Sequence, residues 1–133
     1  MSLKIIQVYQ CNPFEEGQGG VVRYVTNLVG GLKNYCDEIL FIGLGAKKKK
    51  KDNIWLFPIT KRITGYIHFL LVLIIKLPFM DLSNYKLVHV HRLYFAVPFI
   101  LLKPRLNVVC TLHGRTFSVF ESNYGSKAFS LVE

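Results

Sequence analysis

The sequence predicts an α/β fold in which an open parallel sheet carries helices on both faces, the Rossmann-like arrangement. Short, strongly apolar segments alternate with longer segments of helical spacing, which is the pattern of successive βαβ units. Some of the short segments have no polar face, as expected for parallel strands that are buried on both sides. The chain has 133 residues, 51% of them hydrophobic and 19% charged, so we expect one globular domain, residues 1–133.

Each element is predicted from its own pattern. In the first helix, four apolar residues recur at helical spacing and form one buried stripe: Val21, Val25, Leu28 and Leu32. The loop before this helix contains a proline and three glycines. The predicted elements, in order, are strand 4–9, loop 11–20, helix 21–34, strand 38–43, a flexible basic loop 43–53, strand 54–58, helix 63–77, strand 86–91, helix 94–103 and strand 107–112, followed by a loop and part of a helix over 115–133.

Prolines and glycines indicate where some of these helices and strands end or lose stability. Pro58 is expected to end the third strand, because proline has no N–H to donate to a strand ladder. Pro98 is compatible with the last helix only in the first turn of that helix. Gly30 and Gly31 lower helix stability by about 1 kcal/mol each relative to alanine, so they indicate close packing against the sheet or an early helix end.

Positive charge is concentrated in one place. The formal net charge is +9, and five of the positive charges belong to Lys47–Lys51. Such a run is either a solvated loop or a segment attracted to an anionic membrane surface. Nucleic acid is not predicted as a partner, because arginines and stacking aromatic residues are not clustered beside the lysines.

One apolar segment allows two interpretations. Residues 65–79 are almost continuously apolar, but Lys76 and Pro78 interrupt the run before it reaches the roughly 20 residues that a membrane span needs. The helix around Phe69 therefore either packs in the core or rests on a membrane surface together with the lysine run.

The cysteines indicate a reducing compartment. Cys11, Cys36 and Cys110 are odd in number and include no C-x-x-C pair, which disfavours a disulfide or zinc framework. No signal-peptide pattern is found, since the first apolar run contains Gln7 and no small-residue cleavage motif follows it. We therefore expect a cytoplasmic location, at most peripheral to the inner face of the membrane.

A glycine-rich loop follows the first strand and leads into the first helix. Backbone N–H groups and the helix dipole favour an anion at such a junction, although the glycines also suit a simple tight turn. A dinucleotide fingerprint would require a third glycine where Val22 stands and an acidic residue at the end of the second strand, and both are absent. No phosphate loop of the G-K-[ST] type is found either.

Three histidines are placed by the predicted strands. His89 and His91 share one face of the fourth strand, and His113 follows the fifth. If these strands are neighbours, His91 and His113 lie close together at the edge where such sheets bind ligands. His89 suits a hydrogen-bonded core position, and irregular spacing without a carboxylate disfavours zinc. His113 can donate a hydrogen bond to a sugar hydroxyl or to a phosphate.

The sequence gives weaker evidence for catalytic acids or nucleophiles than for a site at the glycine-rich loop and the histidines. Glu15 and Glu16 are adjacent in the glycine-rich loop, where they either bind an acceptor or are solvated. The sequence contains no Gly-x-Ser-x-Gly elbow and no paired-carboxylate signature.

Three motifs together carry a resemblance to a known family. They are Gly-Gly-Val-Val-Arg-Tyr-Val-x-Asn-Leu at 19–28, Lys-Leu-Val-His-Val-His at 86–91 and Val-Val-Cys-Thr-Leu-His-Gly at 108–114. Their order and spacing resemble the N-terminal domain of retaining glycosyltransferases of the GT-B fold, family 4 (group 1). The resemblance extends from Lys4 to about Arg115, which is nearly the whole chain.

The resemblance implies roles for individual residues. It implies that His113 is catalytic and lies near the transferred sugar, and that His91 and Arg92 lie on the acceptor side, where Glu15 and Glu16 are further candidates. The residues that it places near the donor diphosphate and its sugar are Gln18, Gly19, Gly20 and Gly114.

The implied activity is transfer of a hexose from a nucleotide-diphosphate sugar to a glycan or lipid-linked acceptor. No metal and no other cofactor is expected, because backbone amides and the helix dipole would stabilise the leaving diphosphate. The donor-binding domain of the family has no counterpart in this sequence, so it is expected in cis or in trans, and the isolated chain is expected to be inactive. The alternative is a non-catalytic, membrane-docked subunit that binds the acceptor beside a separate donor-binding chain. A flavodoxin-like or response-regulator-like domain is disfavoured, because such a regulator needs an acidic cluster at the strand ends.

Overall fold

One six-stranded sheet forms the centre of the molecule. The structure is a computed structural model that describes residues 2–15, 17, 19–62 and 65–113. Its elements are β1 (Lys4–Val8), α1 (Gly20–Leu32), β2 (Glu38–Leu44), β3 (Lys49–Lys51), β4 (Ile54–Thr60), α2 (Tyr66–Lys76), a 3₁₀ turn (Leu77–Phe79), β5 (Leu87–Val90), α3 (Leu93–Leu102) and β6 (Asn107–Cys110). The α/β fold class predicted from the sequence is confirmed.

The order of the strands across the sheet is β3-β4-β2-β1-β5-β6. All neighbouring pairs are parallel except β3 and β4, which are antiparallel. From β1 the chain first extends the sheet towards β2 and later, through β5, in the opposite direction. The strand order therefore reverses between β1 and β5, which is where open α/β sheets form a crevice.

The helices cover both faces of the sheet, each over its own core. On one face, Val25 and Val29 of α1 pack with Ile39 and Phe41 of β2. On the other, α2 and α3 share a larger core with β1 and β5, which includes the fully buried side chains Phe69, Leu73, Phe95, Phe99 and Ile6. We call these the α1 face and the α2/α3 face. Within the described ranges, no helix is both long and apolar enough to cross a bilayer.

The lysine run forms an edge strand, so the prediction of a flexible loop over 43–53 is wrong in its second half. Lys49, Lys50 and Lys51 pair antiparallel with Leu56, Trp55 and Ile54. The hairpin with the strongly apolar β4 imposes the extended conformation despite the modest strand propensity of lysine. Charged side chains on an edge strand also oppose pairing with other chains.

Two proline predictions are wrong. The strand β4 continues through Pro58 to Thr60, because a register shift at Gly43 and Leu44 of β2 accommodates the proline, as bulges generally do. Pro98 lies inside α3, beyond its first turn, and is buried. The burial of the largely apolar α3 offsets the backbone hydrogen bond that this proline cannot make.

The glycines of α1 are not packing contacts. Gly30 and Gly31 are exposed, and a Cβ atom at either position would meet open space. Of the two alternatives predicted for them, close packing is wrong, whereas the early helix end agrees with the structure, since α1 ends at Leu32. Gly43 is different, because a Cβ atom there would overlap the backbone carbonyl oxygen of Cys11. This oxygen accepts a hydrogen bond from the amide of Leu44, at 3.0 Å, and so ties the loop after β1 to β2.

We expect Gly43→Ala to lower the free energy of unfolding by about 1–3 kcal/mol, because the added methyl group must displace backbone. The matched control is Gly30→Ala, which we expect to raise the free energy of unfolding by up to about 1 kcal/mol through helix propensity. Urea unfolding followed by the fluorescence of the single tryptophan measures both. Equal effects of the two variants would contradict the close approach at Gly43.

Candidate functional site

The carboxyl edge of the sheet gathers polar residues where the strand order reverses. Here β1 is followed by Tyr9, β5 by His91 and Arg92, and β6 by Thr111 and, two residues later, His113. Because β5 and β6 pair in parallel, the segments after them end side by side, and Thr111 donates its backbone N–H to Val90 at 3.0 Å. We call His89, His91, His113 and Gln7 the histidine cluster.

A chain of side-chain hydrogen bonds crosses three strands. His91 Nε2 lies 2.8 Å from Gln7 Oε1, Gln7 Nε2 lies 3.2 Å from His89 Nδ1, and His89 Nε2 lies 2.6 Å from Thr111 Oγ1. The amide oxygen of Gln7 accepts from His91, and its NH₂ donates to His89. His89 therefore donates its Nε2 proton to Thr111, and His91 keeps a lone pair on Nδ1.

Aromatic rings connect this cluster to the helix that follows the glycine-rich loop. The rings of His91 and His113 stack with their centroids 5.8 Å apart, and Tyr24 of α1 meets His113 edge-on at 5.3 Å and His91 at 6.1 Å. Tyr9 contacts His91 edge-on from the end of β1 at 6.1 Å. The sequence correctly predicts that His91 and His113 approach one another, whereas Tyr24 and Gln7 were not predicted as part of the site.

The histidines are neutral at physiological pH. Burial, followed by the proximity of His89 and His113, lowers the pKa of His91 to about 3. Burial also lowers the pKa of His89, with a smaller effect of His113, and that of His113, with a smaller effect of Arg92. Neutral imidazoles can exchange hydrogen bonds with hydroxyl groups without adding charge.

Arg92 supplies the positive charge of this edge. Its guanidinium donates to the hydroxyl of Tyr9 at 3.4 Å and lies 5.7 Å and 5.9 Å from the ring centroids of Tyr9 and Tyr94. Among the described residues, no carboxylate forms an ion pair with it. Three buried nitrogen atoms have no hydrogen-bond partner in the described part of the chain: Arg92 Nε, His91 Nδ1 and His113 Nε2. Together they offer a ligand one cationic donor and one lone-pair acceptor, with His113 able to serve in either role.

The glycine-rich loop has the predicted strand-to-helix geometry. Gly19 adopts φ 97° and ψ 154°, a conformation that side-chain-bearing residues rarely adopt, and α1 begins at Gly20. The first helical bond runs from Arg23 N–H to Gly19 C=O at 3.2 Å, so the N–H groups of Gly20, Val21 and Val22 precede it. The helix has no acidic residue in its first turn. Phosphate binding at Gly19 and Gly20 stays a prediction.

Of the remaining predicted site residues, Glu15 is described by the structure, and it lies away from the histidine cluster. Glu15 lines a separate cavity of about 680 Å³ between the glycine-rich loop and the ends of β2 and β4, together with Asn12, Lys61 and Arg62. The predictions for Glu16, Gln18 and Gly114 lie outside the described residues.

Several ring nitrogens of the histidine cluster are engaged in hydrogen bonds within the described part of the chain. Both ring nitrogens of His89 and one of His91 already take part in hydrogen bonds with Gln7 and Thr111. No group of His, Cys, Asp and Glu in the described ranges has the arrangement that a metal ion needs. Among the described residues around the histidine cluster, the polar groups are imidazoles, hydroxyls, the Gln7 amide and the guanidinium of Arg92.

Comparison with family models and with curated proteins assigns no family to this chain. No model of a protein family and no curated protein matches its sequence. A functional proposal therefore depends on the residues at the carboxyl edge and on the three sequence motifs that include them.

The low pKa of His91 makes stability depend on pH. In the unfolded chain a histidine binds a proton near pH 6.5, whereas His91 in the folded state binds one only near pH 3. Its contribution is therefore complete above pH 6.5 and is lost as the pH falls below that value. We expect the free energy of unfolding to fall by up to about 2 kcal/mol from this residue between pH 7 and pH 5.

Urea unfolding at pH 5, 6, 7 and 8 measures this dependence. We expect His91→Gln to flatten it, because an amide can still donate to Gln7 but cannot titrate. The control is Asn34→Gln, which changes an exposed side chain without a titratable group and is expected to keep the slope of the unmodified chain. A His91→Gln variant with the full slope would contradict the burial of an uncharged imidazole.

Proposed function

We propose that this chain forms the acceptor-side half of the cleft in a retaining sugar transferase. The enzyme would move a hexose from a nucleotide-diphosphate sugar to a glycan or lipid-linked acceptor, in the biosynthesis of a polysaccharide or glycolipid. Support comes from the Rossmann-like strand order, from the position of the polar residues at its crevice, and from the three motifs that resemble family 4 glycosyltransferases.

The observation that carries the proposal is the combination, at one edge, of neutral imidazoles and tyrosine rings with a guanidinium that has no carboxylate partner among the described residues. Arg92 matches an anionic group, while His91 and His113 match hydroxyl groups. The ring of Tyr9 packs edge-on against His91, and the ring of Tyr24 packs edge-on against His113. A phosphorylated or sugar-bearing ligand needs these three kinds of contact.

The chemical step divides between this chain and a donor-binding partner. The bond between the anomeric carbon and the diphosphate oxygen breaks, a bond to the acceptor hydroxyl oxygen forms, and the proton of that hydroxyl passes to the oxygen of the leaving diphosphate. The amides of Gly19 and Gly20 and the dipole of α1 would stabilise the charge of the leaving diphosphate. His113 would orient the transferring sugar through a hydrogen bond. The donor-binding domain would follow in the same polypeptide or belong to a separate chain.

Replacing His113 by alanine tests this role. In the enzyme completed by its donor-binding domain, we expect His113→Ala to lower sugar transfer from a UDP- or GDP-hexose by about 100-fold or more, as for other positioned catalytic groups. The control is His68→Ala, a histidine exposed on α2. Transfer of radiolabelled hexose measures the rate, and an unchanged rate in His113→Ala would refute the assignment. Robust transfer by the isolated chain would refute the need for a donor-binding partner.

The role of Arg92 in holding an anionic group can be tested by a binding measurement that does not require sugar transfer. We expect Arg92→Gln to weaken binding of inorganic pyrophosphate, which stands in for the anionic group of the acceptor, by about 10-fold or more, because a charge-assisted hydrogen bond is lost. Arg105→Gln removes an exposed arginine near the opposite end of β6 and serves as the control of equal charge. Isothermal titration calorimetry provides the affinities. Equal weakening by both variants would show that only the overall charge matters.

A second candidate is an acceptor-binding subunit without catalysis. The observation that favours it is that no carboxylate contributes to the pKa shifts of His91 or His113 among the described residues, which leaves this edge without a carboxylate base. The transfer assay separates the two candidates, because a binding subunit would retain affinity for the acceptor while His113→Ala left the rate of the complete assembly unchanged.

A further inference from the structure

The outer surface of the α2/α3 layer is mainly apolar, with His68 as an exposed polar residue of α2. Phe79 and Leu101 are 88% and 73% exposed, although side chains of this kind are ordinarily buried. We call this surface the outer apolar face. Its members are Tyr66, Ile67, Leu71, Ile74, Ile75 and Phe79 from α2 and the 3₁₀ turn, and Leu93, Val97, Ile100, Leu101 and Leu102 from α3.

These residues are additional to the core. The sheet is covered by other side chains of the same helices, among them Phe69 and Leu73 of α2 and Phe95 and Phe99 of α3. A surface helix of an ordinary domain presents polar residues on the side away from its core. Between Leu93 and Leu102, α3 has no charged residue at all. Exposed apolar surface of this extent indicates a binding surface.

The lysine strand, by which we mean Lys48 and β3 (Lys49–Lys51), adds positive charge to the side of the sheet that carries α2 and α3. Lys48 Nζ lies 4.8 Å from the ring centroid of Phe57, and Lys50 Nζ lies 4.8 Å from that of Trp55. Phe57 packs against the α2/α3 core, and Trp55, two residues away on the same strand, shares its face. Lys49 lies on the opposite face, with its Nζ 5.5 Å from the ring of Phe14.

A groove joins the lysines to the outer apolar face. It has a volume of about 760 Å³ and lies between β4 and α2, where its lining includes Trp55, Phe57, Ile75, Phe79 and Lys48. Aromatic residues and lysines beside one another are typical of the boundary between lipid headgroups and acyl chains.

The acidic residues on the groove are already engaged. Glu38 accepts a hydrogen bond from the hydroxyl of Tyr85 at 3.0 Å and pairs with Lys4 at 3.2 Å. Asp81 accepts hydrogen bonds from the hydroxyl and the backbone N–H of Ser83. The ion pair with Lys4 offsets the charge of Glu38, whereas Asp81 keeps its charge because its hydrogen-bond donors are neutral. Lys48 and Lys76 on the lining, with Lys50 beside it, leave this side with an excess of positive charge.

We propose that the outer apolar face rests on an anionic lipid bilayer, with Lys48 and Lys50 against the headgroups. The positive charge beside the face complements anionic lipid. The helix α2 has 11 residues and spans about 16 Å, roughly half of a bilayer core, so it lies in the interface. This proposal concerns the α2/α3 face alone and does not depend on what the histidine cluster binds.

The same arrangement places Arg92, rather than the histidines of the α1 face, near the lipid surface. Both helices begin at the carboxyl edge of the sheet, where the rings of Tyr66 and Tyr94 lie 4.6 Å apart. Tyr94 in turn lies against the guanidinium of Arg92. A ligand held in the bilayer could therefore reach Arg92 along the N-terminal ends of α2 and α3.

Vesicle flotation tests the proposal with the whole chain. We expect most of the protein to float with vesicles of 70% phosphatidylcholine and 30% phosphatidylglycerol, and to remain at the bottom with pure phosphatidylcholine. The double variant Ile75→Glu/Leu101→Glu is expected to lose at least about 10-fold in partitioning, because both exposed side chains would enter the apolar region. The control is Tyr35→Glu, since Tyr35 is 80% exposed outside the outer apolar face.

The two faces of the lysine strand give a matched test of charge. We expect Lys48→Gln/Lys50→Gln to weaken binding to the anionic vesicles by roughly 10-fold, at about 1 kcal/mol per lysine near the surface. Lys49→Gln/Lys51→Gln removes the same charge from the opposite face, and we expect a much smaller loss. Equal losses would indicate nonspecific attraction of a basic chain and would overturn the proposed orientation.

Trp55 reports the contact without a mutation. It is the single tryptophan of the chain and is 42% exposed beside Lys50. We expect its emission to shift to shorter wavelength with anionic vesicles and to be quenched by lipids brominated near the headgroup. Flotation without quenching would overturn the assignment of this face.

Two further outcomes would overturn membrane docking itself. One is that the unmodified chain fails to float with anionic vesicles. The other is that it sediments as a dimer which Ile75→Glu/Leu101→Glu converts into a monomer, with no flotation of either form. The outer apolar face would then be an interface between two copies of the chain.

Discussion

The side-chain amide of Gln7 holds two imidazole rings in an otherwise apolar part of the sheet. It is fully buried in the central strand, and its two ends bind His91 and His89 of the neighbouring strand. Loss of this amide would leave two buried nitrogen atoms without partners, at about 1–3 kcal/mol each. Apolar side chains of the same volume would leave no buried nitrogen atom without a partner. The polar chain thus favours one orientation of His91, with its remaining lone pair fixed in place.

The fold follows from patterns that act over short distances. Apolar segments separated by helices suffice to predict a parallel sheet, and the shared edge of neighbouring parallel strands suffices to bring His91 near His113. The pairing of Lys49–Lys51 with β4 does not follow in this way, because lysine has no strong preference for strands. For these three lysines, pairing in a hairpin with the apolar strand β4 determines the extended structure.

Two residues of the site, Tyr24 and Gln7, were not predicted, because the sequence around each of them is ordinary for the element in which it lies. Tyr24 occupies a polar position of an amphipathic helix, and its contact with His113 arises only when α1 packs across the sheet. Gln7 is one polar residue in an apolar strand, which was the available signal, but its two partners are 82 and 84 residues away in sequence. Long-range contacts of this kind depend on the strand order.

The sheet separates two kinds of surface that meet at Arg92. On the α1 face lie neutral histidines and hydrogen-bonding groups, and on the α2/α3 face lies an apolar layer bordered by lysines. The guanidinium contacts Tyr9 at the end of β1 and Tyr94 at the start of α3, so it belongs to both. A small sugar phosphate would use only the polar surface. A ligand with an anionic group at Arg92 and an apolar chain along α3 would use both surfaces at once, and their convergence at one residue favours that class of ligand for the proposed acceptor.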